Sequence, residues 1–417
     1  MNDGDKKKNR QEIREKKPIN VSGQIKSENK YYLKVSSRFR IVAFVLLAAF
    51  ILFTGFMLIR YGSYITYDNL AYLVRDADRK IGGDSGSITG INYSTHDGQS
   101  FVRFRDGVAV AGETDVTVYD SSGSEVLTDK AGYSSPVLVA GDKYLLAYDI
   151  GTKYYSVYNS LTRVLSREAD HEILGADMSD TGAFILLTRS KTGKFDVEVY
   201  GEALKRVMTV HKDKYVIDAA ISRDGKRVAV LSAVEGDLEL GCELYVCRVG
   251  ESDPLYSETF PSAAPLRLDY YSTGNLSVIT DSRVVFYDGN MDELSSADLS
   301  GTTPSACDAT DGALVVASAE NALGNRNKII VFDNGGKMIL SDTVDTRVTF
   351  VAAPSSVSEG IAGYVKTDGS VMILPAAGEA KTVGCSNDVT KLIDMGNGVL
   401  AFTPSGASVL TDKTDKK

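Results

Sequence analysis

Aspartates are the residues of this sequence with the clearest capacity for chemistry, and one set recurs in short apolar segments. This set is Asp177, Asp218, Asp269 and Asp308. If these segments are strands around a common axis, their carboxylates line a channel and could hold a cation. Solvated or backbone-bonded side chains are the favoured alternative, so the sequence leaves metal binding at these positions open.

A second set of aspartates follows pairs of an apolar and an aromatic residue. Asp120, Asp288 and Asp333 each precede a short segment that contains glycine. Such aspartates invite a metal or acid–base interpretation. Turn chemistry explains them better, because an Asp side chain accepts hydrogen bonds from backbone N–H groups two or more residues later. We predict that all three stabilise turns.

Histidines and linear motifs give no support to a catalytic centre. His96, His171 and His211 are far apart and are not arranged as H-x-x-x-H or H-E-x-x-H. The sequence contains neither a G-x-S-x-G elbow nor a P-loop. We therefore assign no catalytic residue and expect no cofactor. This counts against an enzyme but leaves the question open, because a fold can bring together active-site residues that are far apart in the sequence.

The four cysteines match neither a zinc pattern nor a dense disulfide framework. Cys242 and Cys247 lie in one predicted strand, where their odd spacing points them to opposite faces. Buried free thiols are the expectation. A Cys307–Cys385 bridge remains an alternative that nothing in the sequence supports.

The elements that must position these side chains are short strands. From about residue 87 to 412, apolar runs rich in β-branched and aromatic residues alternate with turn clusters of Gly, Asp, Asn and Ser. Two of these runs are Phe184–Thr188 and Ile329–Phe332. No helical period of useful length appears in this region. The even spacing predicts an all-β sandwich array, barrel or propeller.

Internal repeats decide in favour of a propeller. The turn aspartates Asp120, Asp288 and Asp333 are separated by 168 and 45 residues, which fits four periods and then one of about 42. A second unit, Ala176–Leu186, matches Ala219–Ala229 at an offset of 43. Its Gly182 and Gly225 have weaker counterparts, Gly274 and Gly312, and each is expected to supply a positive φ.

The repeats predict about eight four-stranded blades, with seven as the alternative. Their expected spans are 100–130, 133–168, 171–212, 215–261, 264–300, 303–344, 347–384 and 387–411. The last span is one strand short. We expect Ser87–Tyr93 to supply that strand and close the ring, which removes the open sheet edges.

A membrane-spanning helix is predicted before the propeller. Residues 41–59 carry no charge and are about long enough to cross a hydrocarbon core of roughly 30 Å. Met1–Arg40 holds twelve Lys and Arg against five Asp and Glu. Basic flanks stay in the cytoplasm, so the tail is placed inside and the acidic domain outside. The 40-residue tail and the absence of an A-x-A site favour an uncleaved anchor over a signal peptide.

The expected organisation is therefore a tail, a helix, a linker, a propeller and a short end. The predicted parts are a disordered basic cytoplasmic tail (1–38), a transmembrane helix (39–60), a juxtamembrane helix and linker (61–86), a β-propeller (87–412) and a disordered tail (413–417).

The segment Ser222–Arg227 resembles the Ser-x-Asp-Gly-Lys turn of TolB-type and WD40-like propeller repeats. With the basic tail and the apolar helix, the whole chain resembles an uncharacterised family of membrane-anchored propellers from Gram-positive bacteria. That resemblance implies a fold and a location, and no catalytic residue. The chain has no Trp, which departs from WD40 and quinoprotein propellers.

Three functions fit these expectations. The first is a single-pass membrane-anchored binding or scaffold module outside the plasma membrane, with an envelope protein or polysaccharide as partner. The second is a ligand sensor that signals through a cytoplasmic partner. The third is an envelope enzyme with its site in the central channel. Nucleic acid is not an expected partner, because the large domain is strongly acidic.

Overall fold

The computed structural model describes residues 38–56, 90–93, 100–235, 240–251, 253–357 and 360–410. The basic tail, His96 and the predicted juxtamembrane helix (Tyr67–Arg79) lie outside the described residues. Helix α1 spans Arg38–Phe56 and is long and apolar enough to cross a membrane, a test that a signal sequence would also pass. It belongs to a separate unit from the strands that follow and is described by itself.

The described strands form eight antiparallel four-stranded sheets, the predicted blades. The first strand of each blade, strand A, lies innermost, and strands B, C and D follow outwards. Blades 1 to 3 comprise Ser100–Phe104 (β2), Gly107–Ala111 (β3), Asp115–Tyr119 (β4) and Glu125–Lys130 (β5); Pro136–Ala140 (β6), Leu145–Asp149 (β7), Tyr154–Tyr158 (β8) and Arg163–Glu168 (β9); and Ile173–Met178 (β10), Phe184–Arg189 (β11), Phe195–Tyr200 (β12) and Arg206–Lys212 (β13).

Blades 4 to 6 continue the same order at the predicted positions. They comprise Tyr215–Ile221 (β14), Arg227–Glu235 (β15), Leu240–Arg248 (β16) and Pro254–Phe260 (β17); Pro265–Tyr270 (β18), Leu276–Thr280 (β19), Arg283–Tyr287 (β20) and Glu293–Asp298 (β21); and Thr303–Ala309 (β22), Ala313–Ala319 (β23), Asn327–Asp333 (β24) and Met338–Val344 (β25).

Blade 8 takes its outermost strand from the other end of the propeller. Blade 7 comprises Val348–Ala352 (β26), Ile361–Thr367 (β27), Ser370–Pro375 (β28) and Lys381–Gly384 (β29), and blade 8 comprises Lys391–Asp394 (β30), Val399–Thr403 (β31), Gly406–Val409 (β32) and Ile91–Asn92 (β1). In the pairing of β1 with β32, Ile91 lies opposite Ala407 and Asn92 opposite Gly406. The predicted eight blades and the predicted closing strand are confirmed.

The core consists of eight apolar clusters, one at each junction between adjacent blades. At the junction of blades 2 and 3, Phe184 stacks on Tyr200 with ring centroids 4.4 Å apart. Each sheet is thus covered on both faces by its neighbours. This explains why strands B and C are almost continuously apolar instead of alternating.

Antiparallel pairing places the A–B and C–D turns at one end of the ring, which we call the A–B face. The B–C turns and the connections from strand D to the next strand A lie at the other end, the B–C face. Because Asn92 pairs beside the β31–β32 turn, the chain enters the propeller at Gly90 on the A–B face.

Candidate functional site

A cavity of about 580 Å³ occupies the A–B end of the central channel. Inner strands and A–B turns from all eight blades line it. Its walls combine apolar and charged side chains, namely Phe101, Leu138, Ile393, Arg103, Arg223, Lys391, Asp142, Asp180, Asp308, Asp311 and Asp394. Its size suits a small ligand or a short peptide segment.

Two of the channel aspartates join neighbouring blades. The Oδ2 atom of Asp177 accepts a 2.9 Å hydrogen bond from the Ile221 N–H of blade 4. Asp308 Oδ2 likewise accepts from the Ala353 N–H at 2.9 Å, in the loop after β26 of blade 7. The second oxygen of Asp308 binds Lys391 Nζ at 3.0 Å. These carboxylates therefore hold blades together and are themselves held in place.

Asp218 makes the same kind of bridge from another level of the channel. Its Oδ2 atom accepts a 2.8 Å hydrogen bond from the Leu268 N–H of blade 5. In the blade of each channel aspartate, one residue closes the A–B turn through its N–H group, namely Ser179, Ser222, Tyr271 and Thr310. Asp218 lies four residues before its turn residue, Ser222. The other three channel aspartates lie only two residues before theirs. Burial raises the pKa of Asp218 to about 7.

Asp269 is the channel aspartate that does not follow this pattern. Its Oδ1 atom binds Arg267 Nη2 at 2.7 Å and Nε at 3.1 Å, while Oδ2 is buried and has no partner among the described residues. Burial raises the pKa of Asp269, and Asp269 raises that of Arg267 well above its usual range. Arg267 also donates to the Cys307 carbonyl at 3.3 Å, so this ion pair reaches blade 6.

The four channel aspartates thus have backbone N–H groups or protein cations as partners. In the described part of the chain, no group of three or more His, Cys, Asp and Glu side chains is arranged to hold a metal ion. For Asp177, Asp218 and Asp308 this geometry matches the favoured interpretation of backbone-bonded channel residues, whereas Asp269 pairs with Arg267 instead.

The rim of the cavity carries further contacts between blades. Arg223 donates to the Tyr270 carbonyl at 3.2 Å, and its Nη1 atom lies 3.7 Å from Asp180. Asp311 Oδ1 accepts a 2.6 Å hydrogen bond from the Ser272 N–H. On the other side of the rim, Arg103 is exposed and donates to the Asp394 carbonyl at 3.2 Å. The rim therefore presents both signs of charge on a rigid frame.

The predicted turn aspartates occupy equivalent positions. Asp120 Oδ1 accepts from the N–H groups of Ser122 and Ser124 at 2.8 and 3.0 Å. Asp288 and Asp333 accept in the same way from the residues two and four positions later, at 2.7 to 3.0 Å. The turn interpretation is confirmed at all three positions.

The repeat glycines agree with expectation except in blade 6. Gly182, Gly225 and Gly274 have φ of 92°, 70° and 85°. The expectation of a positive φ was wrong for Gly312, which is not among the positive-φ residues. A Cβ there would lie 2.6 Å from the Ser355 carbonyl group, so blade 7 packs too closely for a side chain.

Among the described residues, no histidine or cysteine lines the cavity. His211 is exposed and binds Asp196 at 2.7 Å on the outer strands of blade 3. The four cysteines are free; Cys242 and Cys247 face different blade junctions, as their spacing predicted. The Cys307–Cys385 bridge is absent.

Sequence reasoning missed the cations of the site. Arg267 lies two residues before Asp269 on the same face of β18, a spacing that could have indicated their ion pair. Lys391 meets Asp308 across 83 positions of sequence, and no local pattern signals such a pair.

Solved structures resemble the propeller at low sequence identity. Sqt1 from Chaetomium thermophilum matches with 13% identity and a TM-score of 0.54, over 79% of this chain and 98% of that one. A eukaryotic initiation factor matches with 15% identity and a TM-score of 0.50, over 72% and 80%. BamB from Moraxella catarrhalis matches with 12% identity and a TM-score of 0.49, over 77% and 99%. The likenesses to Sqt1 and to the initiation factor show the fold alone.

Among curated proteins, none matches the sequence significantly. One family model, described as a family of unknown function, matches residues 86–359, which is most of the propeller. The chain therefore belongs to the family of unknown function DUF5711.

Proposed function

We propose that this protein is a binding or scaffold module that α1 anchors in the plasma membrane, with the propeller on the extracytoplasmic side. The binding role is inferred from the contacts of the channel carboxylates, which bind neighbouring blades. Asp177, Asp218 and Asp308 each bind a backbone N–H of the next blade. Their hydrogen bonds stabilise the ring, and the cavity above them offers a preformed surface for recognition.

The location of the propeller is inferred from α1 and its flanking charge. Helix α1 is long and apolar enough to span a bilayer. The excess of Lys and Arg before it favours a cytoplasmic N-terminus. The resemblance to membrane-anchored propellers of Gram-positive bacteria supports the same arrangement. The partner is then a protein or polysaccharide of the cell envelope.

Protease treatment of intact cells tests the location. The full chain carries one epitope tag before Met1 and a different tag after Lys417. We expect added protease to remove the C-terminal tag and leave the N-terminal tag, while both are lost after lysis. Loss of the N-terminal tag alone would contradict the proposed orientation. Release into the medium of a propeller that carries only the C-terminal tag would show that α1 is a cleaved signal sequence.

Site-specific photo-crosslinking of the full chain in cells tests the cavity as the binding site. A photoreactive amino acid replaces Arg103 on the rim, or Ala322 in the exposed β23–β24 turn on the other face as the matched control. We expect a discrete adduct from position 103 and none from position 322. Equal labelling at both positions would overturn the assignment.

The enzyme alternative makes a different prediction for the same preparation. A propeller with its active site in the channel would turn over a glycan or peptide from envelope extracts, and blocking position 103 would stop that turnover. Such a result would replace binding with catalysis as the role of the cavity.

A further inference from the structure

Two segments on the B–C face of blades 3 and 4 bring several lysines together. The β11–β12 turn carries Lys191 and Lys194. Lys212 is the last residue of β13, and Lys214 lies in the β13–β14 connection. The Lys194 N–H donates to the Lys212 carbonyl at 3.0 Å. A Cβ on Gly193 would lie 2.9 Å from that same carbonyl oxygen, so the two segments are in close contact.

Aromatic rings hold two of these lysines. Lys194 Nζ lies 4.1 Å from the centroid of the Tyr215 ring, and Lys212 Nζ lies 3.3 Å from that of Tyr245. Phe195 meets Tyr215 edge to face at 5.9 Å. Tyr215 nevertheless keeps 58% of its surface exposed. The result is a raised surface of cations and accessible aromatic carbon, which we call the lysine–tyrosine patch.

Nearby carboxylates reduce the positive charge of the patch without cancelling it. Lys214 binds Glu243 at 2.8 Å, and Asp213 lies exposed between Lys212 and Lys214. Asp196 is engaged with His211. Four lysines therefore stand against three nearby carboxylates. The chain as a whole has a net charge of −9, so this surface is opposite in sign to most of the domain.

We propose that the lysine–tyrosine patch binds a linear anionic glycan, a polymer of sugar or polyol units that bears carboxylate or phosphodiester groups. The cations are lysines, flexible point charges that suit an anion repeated along a chain better than one fixed carboxylate. Lysine is depleted at protein interfaces, which disfavours a protein partner. The exposed Tyr215 ring offers apolar contact to the carbon faces of the polymer units.

This inference rests on the extracytoplasmic location under the proposed function, since such polymers lie outside the membrane. It does not rest on the cavity, which opens on the A–B face. Photo-crosslinking at position 103 and binding at the patch can therefore fail separately.

The experiment measures fluorescence anisotropy with the full chain in a neutral detergent. The probes are an octamer of galacturonic acid and an octamer of glycerol phosphate, with maltooctaose as the neutral control. The two anionic arms distinguish carboxylate from phosphodiester recognition. We expect at least one of them to bind and maltooctaose not to bind.

Matched triple variants locate the binding. The patch variant carries K191Q, K194Q and K214Q, and the control carries K205Q, K226Q and K337Q at exposed lysines on the A–B face. Both change the net charge equally. We expect the patch variant to bind about tenfold more weakly or worse and the control to bind as wild type. The slope of log K against log salt concentration should become less steep by about 2 in the patch variant only.

Aromatic contact is tested by Tyr215→Ser, which we expect to weaken glycan binding several-fold while leaving circular dichroism and Tm unchanged. Three outcomes would overturn the proposal: neither anionic octamer binds, both triple variants weaken binding equally, or an octamer of glutamate or a duplex DNA binds as tightly as the glycan probes. The last outcome would mean that charge alone is recognised.

Discussion

Asp218 and Leu268 are fifty positions apart, yet the Asp218 carboxylate accepts a 2.8 Å hydrogen bond from the Leu268 N–H across the junction of blades 4 and 5. The other oxygen of Asp218, Oδ1, accepts a 2.9 Å hydrogen bond from the Ala219 N–H. Both oxygens thus bind backbone, at a place where burial raises the pKa of the carboxyl to about 7.

This raised pKa predicts a pH dependence of stability. The folded chain holds the Asp218 proton up to about pH 7, whereas an unfolded Asp releases it near pH 4. Unfolding therefore releases a proton between these values, and the free energy of unfolding falls as pH rises from about 4 to about 7. Above pH 7 this contribution is constant.

Asp218→Asn removes the titrating group and keeps an oxygen for the Leu268 N–H. We expect the Tm of D218N minus the Tm of wild type to increase as pH rises from 5 to 8, because only wild type loses the Asp218 contribution. The measurement is thermal unfolding of both proteins in detergent at each pH. Asp388→Asn, at an exposed carboxyl, is the control and should leave the pH profile unchanged. A D218N profile parallel to wild type would contradict the prediction.

Substitutions at two repeat glycines can distinguish the cost of a strained backbone from the cost of steric crowding. Gly274 has a φ of 85° with open space around its missing Cβ, whereas at Gly225 (φ 70°) a Cβ would lie 2.7 Å from Thr181 Oγ1. We expect Gly274→Ala to cost about 1 kcal/mol, because the left-handed conformation disfavours a side chain. Gly225→Ala should cost clearly more. Urea unfolding measures both, and equal losses would show that blade 3 relaxes away from the new methyl group.

A single substitution in the closing strand β1 is expected to lower the stability of the propeller substantially. Ile91 is 2% exposed and packs with Val108, Leu400 and Phe402 between blades 8 and 1. We expect Ile91→Ala to lower the free energy of unfolding by about 2–4 kcal/mol, through lost burial and the cavity left behind. Leu323→Ala, at a residue that is 81% exposed, is the control and should change it little. If the two variants unfolded alike, β1 would not be part of the cooperative unit.

Reaction with a thiol reagent distinguishes the buried cysteines from the partly exposed ones. Cys242 and Cys247 are fully buried, and burial raises the pKa of Cys242 to about 12. Cys307 and Cys385 are partly exposed. We therefore expect the native chain to react with a maleimide at Cys307 and Cys385 and to leave the other two unmodified until denaturant is added. Peptide mass mapping reads this out, and labelling of Cys242 in the native state would contradict the buried position.

The fold was largely predictable because its signals are local and repeated. The turns at Asp120, Asp288 and Asp333 depend on hydrogen bonds within five residues, so the sequence shows them directly. The different level of Asp218 was also readable, because Asp218 lies four residues before Ser222 whereas Asp177 lies two before Ser179. The irregularity between Val216 and Asp218 is no cause of this difference, since β10, β18 and β22 contain equivalent irregularities.

The contacts of the candidate site depend on distances that no local pattern encodes. Asp177 meets Ile221 across 44 positions, and Lys391 meets Asp308 across 83. Gly312 shows the same limit: its motif predicted a positive φ, whereas the close approach of Ser355 explains the glycine. Which side chains meet across the channel follows from the ring as a whole.

The order of synthesis gives strand β1 a second significance. A ribosome makes Ile91–Asn92 before any blade exists, and the strand that pairs with it, Gly406–Val409, emerges more than three hundred positions later. Throughout translation the growing chain therefore carries an unmatched edge at its start and another at its newest blade. A nascent chain that stalls early cannot mature by itself, and its open edges are where chaperones or proteases would recognise it as unfinished.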